Sequence, residues 1–174
     1  MSEQPERHTP ERRVAALVAV MSSDHYPNGD RAALKRMSLD TPTPMAFHKL
    51  WLSQIESHID EYWKQEHWQP AWRTLTTTLA LQRGQCFDPK RPLGRVLHDA
   101  RFAESRLERL LSADGDTLFR LALRAARQVA AQQLPADWRD LARLLFADGK
   151  ARQFANDRLA RAYYHAQYQA EHAD

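Results

Sequence analysis

Apolar residues recur every three or four positions along most of the chain, which is the pattern of helices that bury one face. Val14, Leu17, Val18 and Met21 show this spacing in the first such segment. Proline and glycine separate the segments, and no long stretch alternates apolar and polar residues as a half-buried strand does. The pattern predicts an all-α protein, a helical bundle of about eight helices in two small lobes, with no sheet. The helical segments lie at about residues 11–22, 30–37, 44–55, 71–82, 93–100, 103–111, 116–131, 138–146 and 150–172.

The clearest break in the helical pattern is the segment RGQCFDPKRP at residues 83–92. One glycine and two prolines mark it as a loop, and its basic residues make it a basic loop. We therefore place the boundary between the two lobes here. The predicted organisation is a loose tail at 1–9, an N-terminal helical lobe at 10–82, the basic loop at 83–92 and a C-terminal helical bundle at 93–174.

The stretch from residue 58 to residue 72 is ambiguous, because it is helical in pattern but dense in aromatic and charged residues. Aromatic side chains can stack on nucleic-acid bases. Their spacing here fits helices that pack together, so we favour a role in the core or in a subunit contact. The aromatic residues in question are Trp51, Tyr62, Trp63, Trp68 and Trp72.

The net charge of the 174-residue chain is +3, and it is distributed unevenly. Residues 83–152 carry 14 basic and 9 acidic side chains, a net charge of +5, whereas the segments before and after each sum to −1. A basic region of this kind favours a polyanionic partner. Hydrophobic residues make up 43% of the chain, enough to build a core.

Several protein classes are disfavoured by what the sequence lacks. A single cysteine, Cys86, cannot form an internal disulfide, and no apolar run is long enough for a signal peptide or a membrane span. We expect a soluble protein of the reducing cytoplasm with no membrane association. No nucleophile, phosphate-loop or metal-ligand motif occurs, and the spacing of His58, Glu61, Glu66 and His67 matches no metal site. We therefore predict no catalytic residue, no metal and no cofactor.

The predicted helix at 116–131 contains the most readable candidate binding surface. Arg120, Arg124 and Arg127 stand at i, i+4 and i+7 and share one face, with apolar residues on the opposite arc. Asp116 is the one acid beside this arginine stripe in the sequence. Arginine presents a fork of donors that matches phosphate oxygens, so the stripe is a candidate phosphate track. The alternative is an ordinary solvated helix face.

Two further basic groups are candidates for contacts with a nucleic-acid backbone. The short helix at 30–37 projects basic side chains one turn apart, and the loop at 83–92 can follow a backbone without a fixed register. An ordinary exposed surface remains the alternative for both. The residues concerned are Arg31, Lys35 and Arg36 on the helix, and Arg83, Lys90, Arg91 and Arg95 in and beside the loop.

Five short segments of the chain together carry a recognisable pattern. They are GDRAALKR at 29–36, PLGRVL at 92–97, RFAESRL at 101–107, LLSAD at 110–114, and DWRDLARLL at 137–145 followed by GK at 149–150. In their residues, order and loop positions these segments resemble the CasB family. The aromatic stretch and the two chain ends depart from the family pattern.

The resemblance implies the small, all-helical, non-catalytic subunit of the type I-E CRISPR Cascade complex, an antiviral ribonucleoprotein. The implied partners are the other Cascade subunits, the guide crRNA, a second copy of the chain, and the target and displaced DNA strands. The implied role is to brace the crRNA–target hybrid and bind the displaced strand. It adds Arg101 to the expected contacts, beside the residues of the two basic groups and the arginine stripe.

Two other classes stay open from the sequence. A helical interaction module could use the same basic surface to bind an acidic protein. A helix-turn-helix regulator would need base-reading polar side chains at the start of a recognition helix. None of the predicted helices shows that pattern near a tight turn.

Overall fold

The structure is a computed structural model of the chain, and it describes residues 8–82 and 86–173. Within these ranges nine α-helices account for most of the residues, and each predicted helical segment contains one of them. The helices are α1 (Pro10–Ser22), α2 (Asn28–Arg36), α3 (Met45–Leu50), α4 (Gln69–Leu81), α5 (Leu93–Asp99), α6 (Glu104–Ser112), α7 (Gly115–Ala131), α8 (Arg139–Leu145) and α9 (Gly149–Glu171). The prediction of a largely helical protein is confirmed.

The prediction that the protein has no sheet is wrong. Strand β1 (Phe87–Pro92) pairs in parallel with the two-residue strand β2 (Ala136–Asp137), with Phe87 opposite Ala136 and Pro92 opposite Asp137. Residues 87–92 of the expected basic loop are therefore extended. Strand β2 is too short to show an alternating pattern, and two of the six residues of β1 are prolines, which are rare in strands. The pairing forms only because the folded chain brings the two segments together.

The ambiguous aromatic stretch is not a regular α-helix. Helix α3 continues as a π-helical turn at Trp51–Ile55, and three short 3-10 turns follow at Glu56–His58, Glu61–Lys64 and Glu66–Trp68. Trp68 and Trp72 are buried, and the Trp72 ring lies 4.6 Å from that of Phe146, the residue that follows α8. Tyr62 is 47% exposed at the edge of the cluster. The burial of Trp68 and Trp72 matches the expected role of these aromatic residues in the core.

The buried hydrophobic side chains form one cluster that includes residues from both predicted lobes. Leu17 and Trp72 belong to the first, and Leu97 and Trp138 to the second. Trp138 is 1% exposed, and its indole N–H donates a hydrogen bond to the carbonyl oxygen of Cys86 at 3.0 Å. The division into two lobes stays a prediction, and Trp138 is part of the shared core.

A buried carboxylate holds the start of α5 in place. The Oδ2 atom of Asp140 accepts a hydrogen bond from the backbone N–H of Leu93 at 3.0 Å. Its Oδ1 atom accepts bonds from Arg143 at 2.9 Å and from Arg158 at 2.7 Å. Because these residues come from α5, α8 and α9, Asp140 joins three helices at one point.

None of the helices in the described part of the chain is both long enough and apolar enough to cross a membrane.

Candidate nucleic-acid interface

Helix α7 places the arginine stripe on the protein surface. Arg120, Arg124 and Arg127 are exposed, whereas Leu118 and Val129 on the opposite arc are buried. The helix adopts this orientation because its apolar arc packs on α4 in the core. The sequence-based expectation about which face of α7 meets solvent is confirmed.

The three arginines of the stripe differ in their surroundings. The Arg120 guanidinium donates two hydrogen bonds to Asp40, one at 2.8 Å and one at 2.9 Å. These bonds hold the pKa of the Asp40 carboxyl below its usual value. Among the described residues, no side-chain hydrogen bond or ion pair engages Arg124 or Arg127. Asp116 is the one acid beside the stripe in the sequence, and the fold adds Asp40, which stands 80 positions before Arg120 in the chain.

Two arginines that the sequence analysis did not select lie on α6, next to the stripe. Arg106 and Arg109 stand three residues apart on the exposed side of α6, whose opposite side buries Leu107 and Leu110. Residues 113–114 connect α6 directly to α7, so the two helices are neighbours. The i, i+3 spacing of the two arginines on a strongly amphipathic segment was the sequence signal that could have identified them.

A groove of about 350 Å³ lies between α6 and α7, and three of its six lining residues are arginines. None of its six lining side chains is acidic. The side chain of Gln128, one of the lining residues, is fixed because its Nε2 atom donates a hydrogen bond to the carbonyl oxygen of Ala100 at 2.9 Å. A groove that offers guanidinium donors and no carboxylate suits an anion such as a phosphate. The lining residues are Phe102, Arg106, Arg109, Leu121, Arg124 and Gln128.

The position of Arg101 beside this groove follows from the connection between α5 and α6. Gln128 and Gln132 of α7 both donate hydrogen bonds to the carbonyl oxygen of Ala100, at 2.9 and 2.7 Å. Arg101 is the next residue, is exposed, and has a left-handed φ of 59°. The connection is therefore fixed to α7, and Arg101 is exposed next to Phe102, which lines the groove.

Helix α9 is hydrogen-bonded to the C-terminal end of α6, where the chain connects to α7. Arg152 donates to the carbonyl oxygen of Ala113 at 2.9 Å, and Asn156 donates to that of Leu111 at the same distance. These carbonyls lie at the C-terminal end of α6, where the helix itself supplies no partner. Burial lowers the pKa of the Arg152 guanidinium, and its role at this end is structural.

The basic residues of α2 differ in their contacts, because Arg31 is hydrogen-bonded within the protein whereas Arg36 is exposed. Arg31 donates to the carbonyl oxygens of Met21 at 3.0 Å and Ser23 at 3.3 Å, so it caps the C-terminal end of α1. Lys35 lines the same surface cavity as Arg31, and Arg36 is exposed. Contact of these residues with a nucleic acid stays a prediction, and Arg31 would have to serve both roles.

The basic residues around β1 and α5 share one acid. Arg91 and Arg95 approach the Asp99 carboxylate at 3.6 and 4.0 Å, which partly offsets their charge. Lys90 is exposed. Arg83 lies outside the described residues. Lys90, Arg91 and Arg95 form a second basic group, separate from α7 in the sequence, and contact of this group with nucleic acid stays a prediction.

Within residues 8–82 and 86–173, no group of three or more histidine, cysteine, aspartate or glutamate side chains could hold a metal ion.

The chain matches a model of a known protein family. A family model described as CRISPR-associated protein Cse2 (CRISPR_cse2) matches residues 30–164, more than three quarters of the chain. A comparison with curated proteins finds none that matches. The matched region includes four of the five segments on which the resemblance to CasB rests, and that resemblance is confirmed. The chain therefore belongs to the Cse2 (CasB) family of type I-E CRISPR Cascade subunits.

Proposed function

We propose that this chain is a non-catalytic scaffold subunit that binds nucleic-acid backbones through one surface, the α6–α7 basic face. The observation that carries the proposal is a set of exposed arginines on α6, on α7 and just before α6, most of them with no acidic partner among the described residues. An exposed arginine cluster without compensating acids attracts a polyanion and can bind successive phosphates. The α6–α7 basic face consists of Arg101, Arg106, Arg109, Arg120, Arg124 and Arg127.

The proposed task is to brace the crRNA–target hybrid and hold the displaced DNA strand during antiviral defence. Opening the target duplex against a guide RNA is nearly balanced in free energy, so additional backbone contacts can shift the balance. Contacts with phosphates carry no sequence information, which suits a complex that must accept any guide sequence. Membership of the Cse2 family supports this task, because it makes the chain a Cascade subunit.

The remaining parts of the proposal concern partners and organisation. The other Cascade subunits, the crRNA and a second copy of this chain are the proposed protein and RNA partners, and the cytoplasm is the proposed compartment. The basic residues of α2, β1 and α5 are proposed as further backbone contacts. We also propose that the segment at 83–92 separates two lobes.

Measuring the salt dependence of binding tests the proposal on the isolated chain. We expect the double variant Arg124→Ala, Arg127→Ala to bind single-stranded DNA more weakly. The slope of log affinity against log salt should fall by about 1.4, because each lost phosphate contact removes about 0.7 on a single strand. The protein should stay folded, since both side chains are exposed.

The matched control removes the same charge elsewhere. Arg12 in α1 and Arg161 in α9 are exposed arginines outside the α6–α7 basic face. The variant Arg12→Ala, Arg161→Ala should keep the wild-type slope. Equal slopes for the wild type and the Arg124→Ala, Arg127→Ala variant would show that the face is an ordinary solvated surface and would contradict the proposal.

A further inference from the structure

The turn formed by residues 38–41 is built to hold a carboxylate in a fixed position. Its own side chains close it, because the Asp40 backbone N–H donates to the Ser38 hydroxyl at 3.3 Å and the Ser38 N–H donates to the Thr41 hydroxyl at the same distance. Arg73 of α4 then clamps it through bonds to the carbonyl oxygens of Ser38 and, at 2.8 Å, Thr41. Helix α4 also packs on α7. The turn and the arginine stripe therefore rest on the same helix.

The carboxylate that this turn presents is the one bound to Arg120. Both carboxylate oxygens of Asp40 accept a hydrogen bond, one from each Nη atom of Arg120. This two-oxygen, two-nitrogen arrangement is the one in which arginine binds a phosphate. Neither side chain is buried, with 50% of Arg120 and 65% of Asp40 exposed. Asp40 thus occupies the donors that a nucleic-acid phosphate would need.

We propose that Asp40 is a built-in competitor for phosphate at Arg120, and this inference rests on the proposed function. In the unbound protein Asp40 is hydrogen-bonded to the Arg120 guanidinium. Arg124 and Arg127 have no such side-chain partner among the described residues. An exposed ion pair is weak, so a backbone already bound at the two available arginines can displace Asp40. Arg120 then adds its contact only when a chain of phosphates is present, which favours an extended backbone over isolated anions.

A purely structural role for the pair predicts different behaviour. If the Asp40–Arg120 pair only fastened the turn to α7, removing the charge would loosen the turn and would not improve binding. Arg73 and the hydroxyl bonds already hold the turn independently of the Asp40 carboxylate. Removing that carboxylate should therefore free Arg120 without unfolding the protein.

The test uses the isolated full chain and a short single-stranded DNA of mixed sequence, titrated over a range of salt concentrations. Asp40→Asn should bind about two- to fivefold more tightly than the wild type, the range expected from one exposed ion pair. Its salt slope should stay close to the wild-type value, because Arg120 contacts a phosphate in both bound proteins. In an Arg120→Ala background the same substitution should give no such gain in affinity.

Asp116→Asn is the matched control. Asp116 stands one helical turn before Arg120 and forms no hydrogen bond or ion pair within the described residues. Its removal changes the net charge equally, so an equal gain for Asp116→Asn would show general electrostatics and overturn the inference. Unchanged or weaker binding by Asp40→Asn would also overturn it. If Arg124→Ala, Arg127→Ala still weakens binding in that case, the proposed function stands. If that variant binds like the wild type, both proposals fail.

Discussion

At the scale of single residues, arginine fills two distinct roles in this protein. Arg31 and Arg152 donate to carbonyl oxygens at the ends of α1 and α6. Arg124 and Arg127 instead stand exposed on α7. The sequence could predict which arginines share a helical face, because that depends on local spacing. It could not predict which arginines would be engaged by distant carbonyls, because those partners are brought near only by the fold.

Asp140 is the residue whose local contacts have the clearest consequence for stability. We expect Asp140→Ala to lower the free energy of unfolding by about 3 kcal/mol, because it leaves Arg143 and Arg158 without their shared partner and the Leu93 N–H without its acceptor. Chemical denaturation of the purified chain measures this. Asp140→Asn should lose less, since an amide oxygen can still accept from Leu93.

The control for Asp140 is Asp157→Ala, which removes an exposed acid beside Arg158. It should change the free energy of unfolding by less than about 0.5 kcal/mol. If Asp140→Ala and Asp157→Ala were equally mild, the Asp140 cluster would not be holding α5, α8 and α9 together.

At the scale of elements, hydrophobic periodicity predicted the helices closely. Helix α7 was expected at 116–131 and spans Gly115–Ala131, and α9 was expected at 150–172 and spans Gly149–Glu171. Both are long segments in which local spacing determines the outcome. The β1–β2 pair and the π and 3-10 turns between α3 and α4 were not predicted. They depend on contacts between distant segments, and no periodicity marks them.

The packing of α5 on α9 depends on a glycine. A Cβ atom at Gly94 would lie 2.1 Å from the carbonyl oxygen of Leu159 and 2.9 Å from the Cβ of Ala162. We expect Gly94→Ala to lower the free energy of unfolding by about 1–3 kcal/mol, because the two helices must move apart. This loss should outweigh the gain in helix propensity, and thermal and chemical denaturation would measure it.

Gly29 in α2 provides a control of opposite sign. A Cβ atom there would meet nothing within 4 Å. Gly29→Ala should therefore raise the free energy of unfolding by up to about 1 kcal/mol through helix propensity alone. If Gly94→Ala were as stabilising as Gly29→Ala, α5 and α9 would not be in close backbone contact.

At the scale of the whole molecule, the candidate site is assembled from parts that are far apart in the chain. The sequence predicted the arginine stripe of α7, because three arginines share one face of a single helix. It did not predict that Arg106 and Arg109 would join the stripe, or that Asp40 would bind Arg120. These relations depend on how α6, α7 and the turn at 38–41 pack, which is a property of the fold as a whole.

The most direct test of the central claim measures the stability of the opened target DNA in the assembled complex. The quadruple variant Arg106→Ala, Arg109→Ala, Arg124→Ala, Arg127→Ala removes much of the α6–α7 basic face while leaving the buried residues intact. We predict that it joins the other subunits and the guide RNA normally but that target DNA dissociates faster from the complex that contains it. Raising the salt concentration should weaken DNA retention more steeply for the wild type than for the variant. Wild-type dissociation rates and salt dependence in that complex would contradict the account.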